Sequence, residues 1–205
     1  MARNYPSGQD ELFIYGAIPQ DVTAKAIADA LRALGQVRTL HLRVHSPGGS
    51  TSEAAAIITL LNQVRARGTR IIVHIDGAAF SAAAWIIAAT ADEVVVAEDA
   101  LVMIHDASLD VSGRAEELRR GAAVLDKVST EMRRDIALRM HRREDEVAAM
   151  MLAETWWTAD EAVEQGFADR IEGALKLAAA YQPQNRDRSI SAMAERYWAN
   201  RGGAK

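Results

Sequence analysis

Ser81 stands where a strand-like run, Arg70 to Ile75, has passed through the turn-like Asp76-Gly77-Ala78-Ala79-Phe80 into an Ala-rich apolar run, Ser81 to Ala91. That place offers chemistry. The first N–H groups of a helix have no intrahelical acceptor, and the helix dipole favours negative charge there. A hydroxyl nucleophile at such a point puts a developing oxyanion beside backbone donors. The neighbours Gly77, Ala78, Ala79, Ala82, Ala83 and Ala84 are small, so another backbone can come close. Helix caps far outnumber nucleophiles, and local sequence alone favours a plain cap.

Other segments could join Ser81. Ser46-Pro47-Gly48-Gly49 must be a tight loop, because proline lacks an N–H and glycine permits unusual backbone angles. In a parallel α/β sheet, ligands bind outside the carboxyl ends of strands. This loop and the Ser81 turn both follow strands, which predicts that they lie side by side, with Gly49 and Ala82 as oxyanion donors. His105 ends the run Val102-Met103-Ile104 and can reach the same edge, although a lone histidine at a strand end is more often structural than catalytic. The histidines His45 and His74 alternate with apolar residues and read as groups on a polar face. A carboxylate should orient the imidazole. Glu154, Asp160, Glu161, Glu164 and Asp169 all lie near Trp156-Trp157, and spacing alone does not choose among them.

The elements that position these residues are legible as periodicity. Glu11 to Ile18 reads as a strand, and Thr23 to Leu34 as a helix with Ala26, Ile27, Ala30, Leu31 and Leu34 on one face. Leu40, Leu42 and Val44 alternate with His41, Arg43 and His45, which is strand periodicity. A helix is expected from about Ser52 to Arg67, then the strand Arg70 to Ile75 and the helix Ser81 to Ala91. Strands Glu93 to Ala97 and Leu101 to His105 follow. Residues 114–141 read as one long helix, and Asp145 to Ala153 as a shorter one. Thr158, with Glu161 three residues on, forms a capping box for a helix to Gln165. Phe167 to Ile171 is a last strand, and a helix at Ile190 to Asn200 is expected in the tail. Strands alternating with helices predict an α/β fold with a largely parallel sheet.

Composition bounds the rest. The chain has 205 residues, 49% apolar and 25% charged, which suits one soluble domain with a tail. The expected domain is 1–173, followed by a partly helical or flexible tail, 174–205. No apolar run reaches the length of a membrane span, and Met1 to Asp10 lacks the apolar core of a signal peptide. Cysteine is absent, which excludes a disulfide framework and a Cys-based zinc site, and a cytoplasm is the simplest compartment. A net charge of −4 argues against a broad electrostatic grip on nucleic acid. Arg186, Arg188, Arg196, Arg201 and Lys205 make the end basic, which reads as a solvated terminus.

Four segments, in order, resemble the ClpP-like serine peptidases: Ser46-Pro47-Gly48-Gly49, then Gly77 to Ala82, then Met103-Ile104-His105, then Glu161 to Asp169. The likeness runs from about Leu12 to Ile171. It implies the ClpP/crotonase-like fold of repeated strand-turn-helix units with a long protruding helix. It implies Ser81 as nucleophile, His105 as base, Gly49 and Ala82 N–H groups as oxyanion hole, and Gly48, Ser50, Ala79 and Phe80 as substrate-binding positions. The family's acid is usually Asp, and its place falls on Glu154, so the implied triad is Ser81, His105 and Glu154. No metal or cofactor is implied. The partners implied are polypeptide substrates and further copies in a ring, a heptamer or a stacked pair of rings. The segment Glu154 to Ala159, with Ser50 after the double glycine, resembles the head-maturation proteases of tailed phages, which cut capsid or scaffold proteins. The short stretch before the first strand does not resemble the loop by which housekeeping subunits meet an ATPase unfoldase. Two other functions compete: a crotonase-like acyl-CoA enzyme, which needs no Ser–His pair, and a catalytically dead ring-forming assembly protein.

Overall fold

The computed structural model describes residues 10–172, so the expected tail and its helix at Ile190 to Asn200 lie outside the described residues. Seven strands and six helices are described: β1 (Glu11–Tyr15), α1 (Ala24–Leu34), β2 (Thr39–Ser46), α2 (Thr51–Ala66), β3 (Arg70–Phe80), α3 (Ala82–Thr90), β4 (Glu93–Ala97), β5 (Leu101–Ile104), α4 (Ala115–Met140), α5 (Glu144–Leu152), β6 (Thr155–Trp157), α6 (Ala159–Glu164) and β7 (Arg170–Glu172). The strands form one sheet in the order β1-β2-β3-β4-β7, with β5 branching from β3 and β6 pairing β5. The pairs are parallel except β5 with β6. No described helix is long and apolar enough to cross a membrane.

Strand alternation decides which face is buried. Leu40, Leu42 and Val44 of β2 and Ile71, Val73 and Ile75 of β3 face the helices and are buried in one cluster with Ile57 and Leu61 of α2 and Ile86 and Ile87 of α3. Each such side chain contributes roughly 1.5–3 kcal/mol. The opposite face carries polar groups. Arg43 forks onto Asp76, and Tyr15 donates to Asp76 at 2.6 Å. Burial and that hydrogen bond push the Tyr15 hydroxyl up to about 12. Beside them His41 Nδ1 lies 2.9 Å from His74 Nε2.

Three details differ from expectation. The segment Asp76 to Phe80 is not a turn but the second half of β3. The ladder slips between Val44 and Ser46, then resumes with Ser46 opposite Ala79. That slip lets β3 exchange partners: its first half borders β4, and Ala78 to Phe80 pair with Leu101 to Met103. A short strand, β6, was not expected; its Thr-Trp-Trp composition is nonetheless that of a strand. The last strand is Arg170–Glu172, because Phe167 is spent as a fully buried core residue and Asp169 locks onto Val94 through both its N–H and its carboxylate.

Helix α4 is long and only partly packed. Its later turns bury Ser129, Met132, Ile136, Ala137 and Met140, whereas Leu118 and Val124 are exposed. Most of its first half is exposed, with Gly121 beside Leu109 and Val111.

Candidate active site

Ser81 follows β3 directly and takes the N-cap position of α3, with φ 57° and ψ −122°. Few residues other than glycine adopt such angles, and holding them costs about 1–3 kcal/mol. Its N–H donates to the Met103 carbonyl at 2.9 Å, which ties the turn to β5. Its side chain makes no capping bond. Instead Oγ lies 2.7 Å from Nε2 of His105.

His105 is delivered by β5. Phe80 pairs with Met103, so the residue after each strand segment rises at the same edge of the sheet. The chain beyond His105 is braced by α4. Ser129 Oγ accepts from the Ala107 N–H at 3.0 Å, and Arg133 faces Asp106 at 3.6 Å. Trp85, inside α3, donates to Asp135 of α4 at 2.7 Å. These ties were not legible in the sequence, because nothing in a helical pattern says which polar residue faces which loop. The other histidines stand apart. His41 and His74 pair on the polar sheet face, His45 lies against Gly77, and His141 ends α4.

The Ser46–Ser50 loop packs against the Ser81 turn. A methyl group on Gly48 would lie 2.9 Å from the Ala82 nitrogen and 2.5 Å from the Phe80 oxygen. Gly49 has φ 138°, and a methyl there would overlap the Ile18 carbonyl. The loop is held by Ile18, whose N–H donates to Gly48 and whose carbonyl accepts from Ser50, while Gly48 donates to Ser46 Oγ. The Gly49 N–H is not spent in that exchange. Ala82 is the first residue of α3, so its N–H lies outside the intrahelical ladder.

The remaining expected positions fall as follows. Ser50 caps α2, accepting from Glu53 at 3.3 Å. Ala79 and Phe80 are buried, so any contact of theirs with a substrate must come from the main chain. Glu154 lies just before β6. The antiparallel pairs Val102↔Trp157, Met103↔Trp156 and Ile104↔Thr155, continued by one step, bring Glu154 opposite His105. Its Oε1 accepts from the Trp156 indole at 3.2 Å. Of the other carboxylates, Glu161 serves its capping box and Asp169 binds Arg139, while Asp160 and Glu164 are exposed on α6. Among the described residues no group of His, Cys, Asp and Glu could hold a metal ion.

A serine hydroxyl against an imidazole, at a helix start flanked by unspent N–H groups, is the arrangement with which serine hydrolases work. The chain belongs to the Clp protease family, whose profile matches residues 7–174. It is similar to the ATP-dependent Clp protease proteolytic subunit 1 of Leifsonia xyli, at 27% identity over 174 residues, covering 83% of this chain and 87% of the relative. It also resembles subunit 3 of Nocardia farcinica, at 27% identity over 83% of this chain and 79% of the relative. Subunit 2 of Frankia casuarinae is 25% identical over 80% of this chain and 76% of its own length.

Proposed function

We propose that the chain is a serine endopeptidase working through Ser81, His105 and Glu154. The observation that carries this reading is the 2.7 Å contact between Ser81 Oγ and His105 Nε2. Ser81 Oγ attacks the peptide carbonyl carbon while its proton passes to His105 Nε2. The carbonyl oxygen takes up the negative charge and receives the N–H groups of Gly49 and Ala82. When the intermediate collapses, the C–N bond breaks and His105 protonates the leaving amine. Water then attacks the acyl-enzyme by the same route in reverse, giving its proton to His105 and restoring Ser81. Glu154 stabilises the imidazolium and fixes its tautomer. A crotonase-like acyl-CoA enzyme has no use for the Ser81–His105 pair, nor has a dead assembly protein.

The working form is a homo-oligomeric ring in a cytoplasm, and its substrates are polypeptides that reach an enclosed site. The exposed Leu118, Val124 and Leu138 of α4 support an assembly, since apolar helix positions left over usually bury against a partner. The Glu154–Ala159 segment supports maturation of a phage capsid or scaffold as the biological task.

Hydrolysis of an unfolded protein or a fluorogenic peptide by the purified chain, with light scattering on the same sample, tests this. Turnover by an assembly, abolished in Ser81→Ala, is expected. Equal turnover in Ser81→Ala refutes the catalytic assignment. A fully active species of 22.3 kDa refutes the ring.

A further inference from the structure

Glu154 needs something to hold it. It is one methylene longer than Asp, and its backbone, at φ 52°, follows the end of α5 in a conformation that usually belongs to Gly or Asn. A side chain there has several rotamers and only some aim at His105. The residue two positions on, Trp156, donates its indole N–H to Glu154 Oε1 at 3.2 Å. A carboxylate has a second oxygen for the imidazole.

We propose that Trp156 is a positioning residue for catalysis, holding Glu154 toward His105; this rests on the serine-peptidase reading above. Phe80, Met103 and Trp156 lie in one row across β3, β5 and β6. They form a small apolar cluster with Leu101 and Ala78, separate from the main core. The Trp156 ring packs edge-on against Phe80, with centroids 5.0 Å apart. Phe80 precedes Ser81. His105 and Glu154 lie just beyond the ends of β5 and β6, where the β5–β6 register continued by one step sets their backbones opposite each other. One rigid aromatic pair therefore references the acid to the strand that carries the nucleophile. A ring with two rotatable bonds loses less entropy in this task than a long flexible side chain would.

The test is a double-mutant cycle on peptide hydrolysis, with kcat, KM and Tm measured for each protein. Trp156→Phe keeps the ring and loses the donor. It should lower kcat roughly tenfold with KM unchanged, less than the roughly hundredfold that a full 1 Å misplacement can cost. Glu154→Gln should lower kcat by about a hundredfold or more. The double variant should match Glu154→Gln alone, because Trp156 acts only through Glu154. Trp156→His, which retains a ring N–H, should keep more activity than Trp156→Phe. If Trp156→Phe does not fold, Trp156→Leu, which also lacks the donor, takes its place in the cycle. A Trp156→Phe enzyme as fast as the unaltered one, or losses that multiply in the double variant, overturns the inference. Glu154→Gln at full activity overturns it too, by moving the acid elsewhere, while Ser81 and His105 stand. Full activity in Ser81→Ala instead brings down the peptidase reading itself.

Discussion

Ser81 keeps its Oγ 2.7 Å from His105 Nε2 while its own backbone is held at φ 57° and ψ −122°. The strain and the contact belong together, since the sharp turn is what aims the hydroxyl at the imidazole. Two substitutions should therefore part company. Ser81→Ala and Ser81→Gly should both be inactive, but only glycine relieves the backbone. Ser81→Gly should be more stable than Ser81→Ala by about 1 kcal/mol or more. Chemical or thermal unfolding of the two variants measures it, and equal stabilities would mean that the turn is not strained.

The glycine loop should be equally intolerant, for steric reasons. Gly49→Ala forces a methyl onto the Ile18 carbonyl at φ 138°. The loop must then move away from Ser81, and turnover should drop by roughly a hundredfold. Gly35→Ala is the control. Gly35 also has positive φ, 69°, but a methyl there meets nothing within 4 Å. It should cost about 1–3 kcal/mol of stability and leave kcat alone. If Gly49→Ala is as active as Gly35→Ala, the loop does not form the oxyanion site.

Much of this was legible in the chain. Alternation in Leu40 to Val44 marks a central strand and its buried face, because the period of a strand is strict, and the apolar, β-branched run Arg70 to Ile75 marks its neighbour. The adjacency of the Gly48-Gly49 loop and the Ser81 turn follows from parallel strands ending at one edge. Asp76 to Phe80 misled, since Gly-Ala-Ala is poor strand material on its own. It is extended because β2 and β5 both pair with it, a tertiary cause that local propensity does not carry. The pairing of β6 with β5 was hidden for the same reason. With it went the register that sets Thr155 opposite Ile104, next to His105 and Glu154, and Trp156 beside Phe80.

The polar sheet face gives a pH dependence. His74 is buried, and burial first, then the charge of Arg43, holds its imidazole below the ordinary 6.5. His41 and Arg43 from β2, Asp76 from β3 and Glu172 from β7 face it. The folded state therefore keeps His74 neutral at pH values where the unfolded chain protonates it. Its contribution is present above about pH 6.5 and is lost as pH falls from there through the folded value. Tm should decline between pH 7.5 and pH 5.5, above the range where most carboxylates titrate. His74→Gln should flatten that decline. An unchanged slope in His74→Gln would place the acid sensitivity elsewhere.

In the proposed mechanism Ser81 is a nucleophile activated by His105, and a fluorophosphonate reports on that step alone. Ser81 Oγ would attack phosphorus, fluoride would leave, and His105 would take the hydroxyl proton, leaving a stable phosphonyl ester. Peptide mass mapping of the labelled protein should find one adduct, on the peptide that contains Ser81. Labelling should vanish in Ser81→Ala and slow by orders of magnitude in His105→Ala, whose hydroxyl has lost its base. Absence of any adduct in the assembled protein, or labelling that proceeds unchanged in Ser81→Ala, would contradict it.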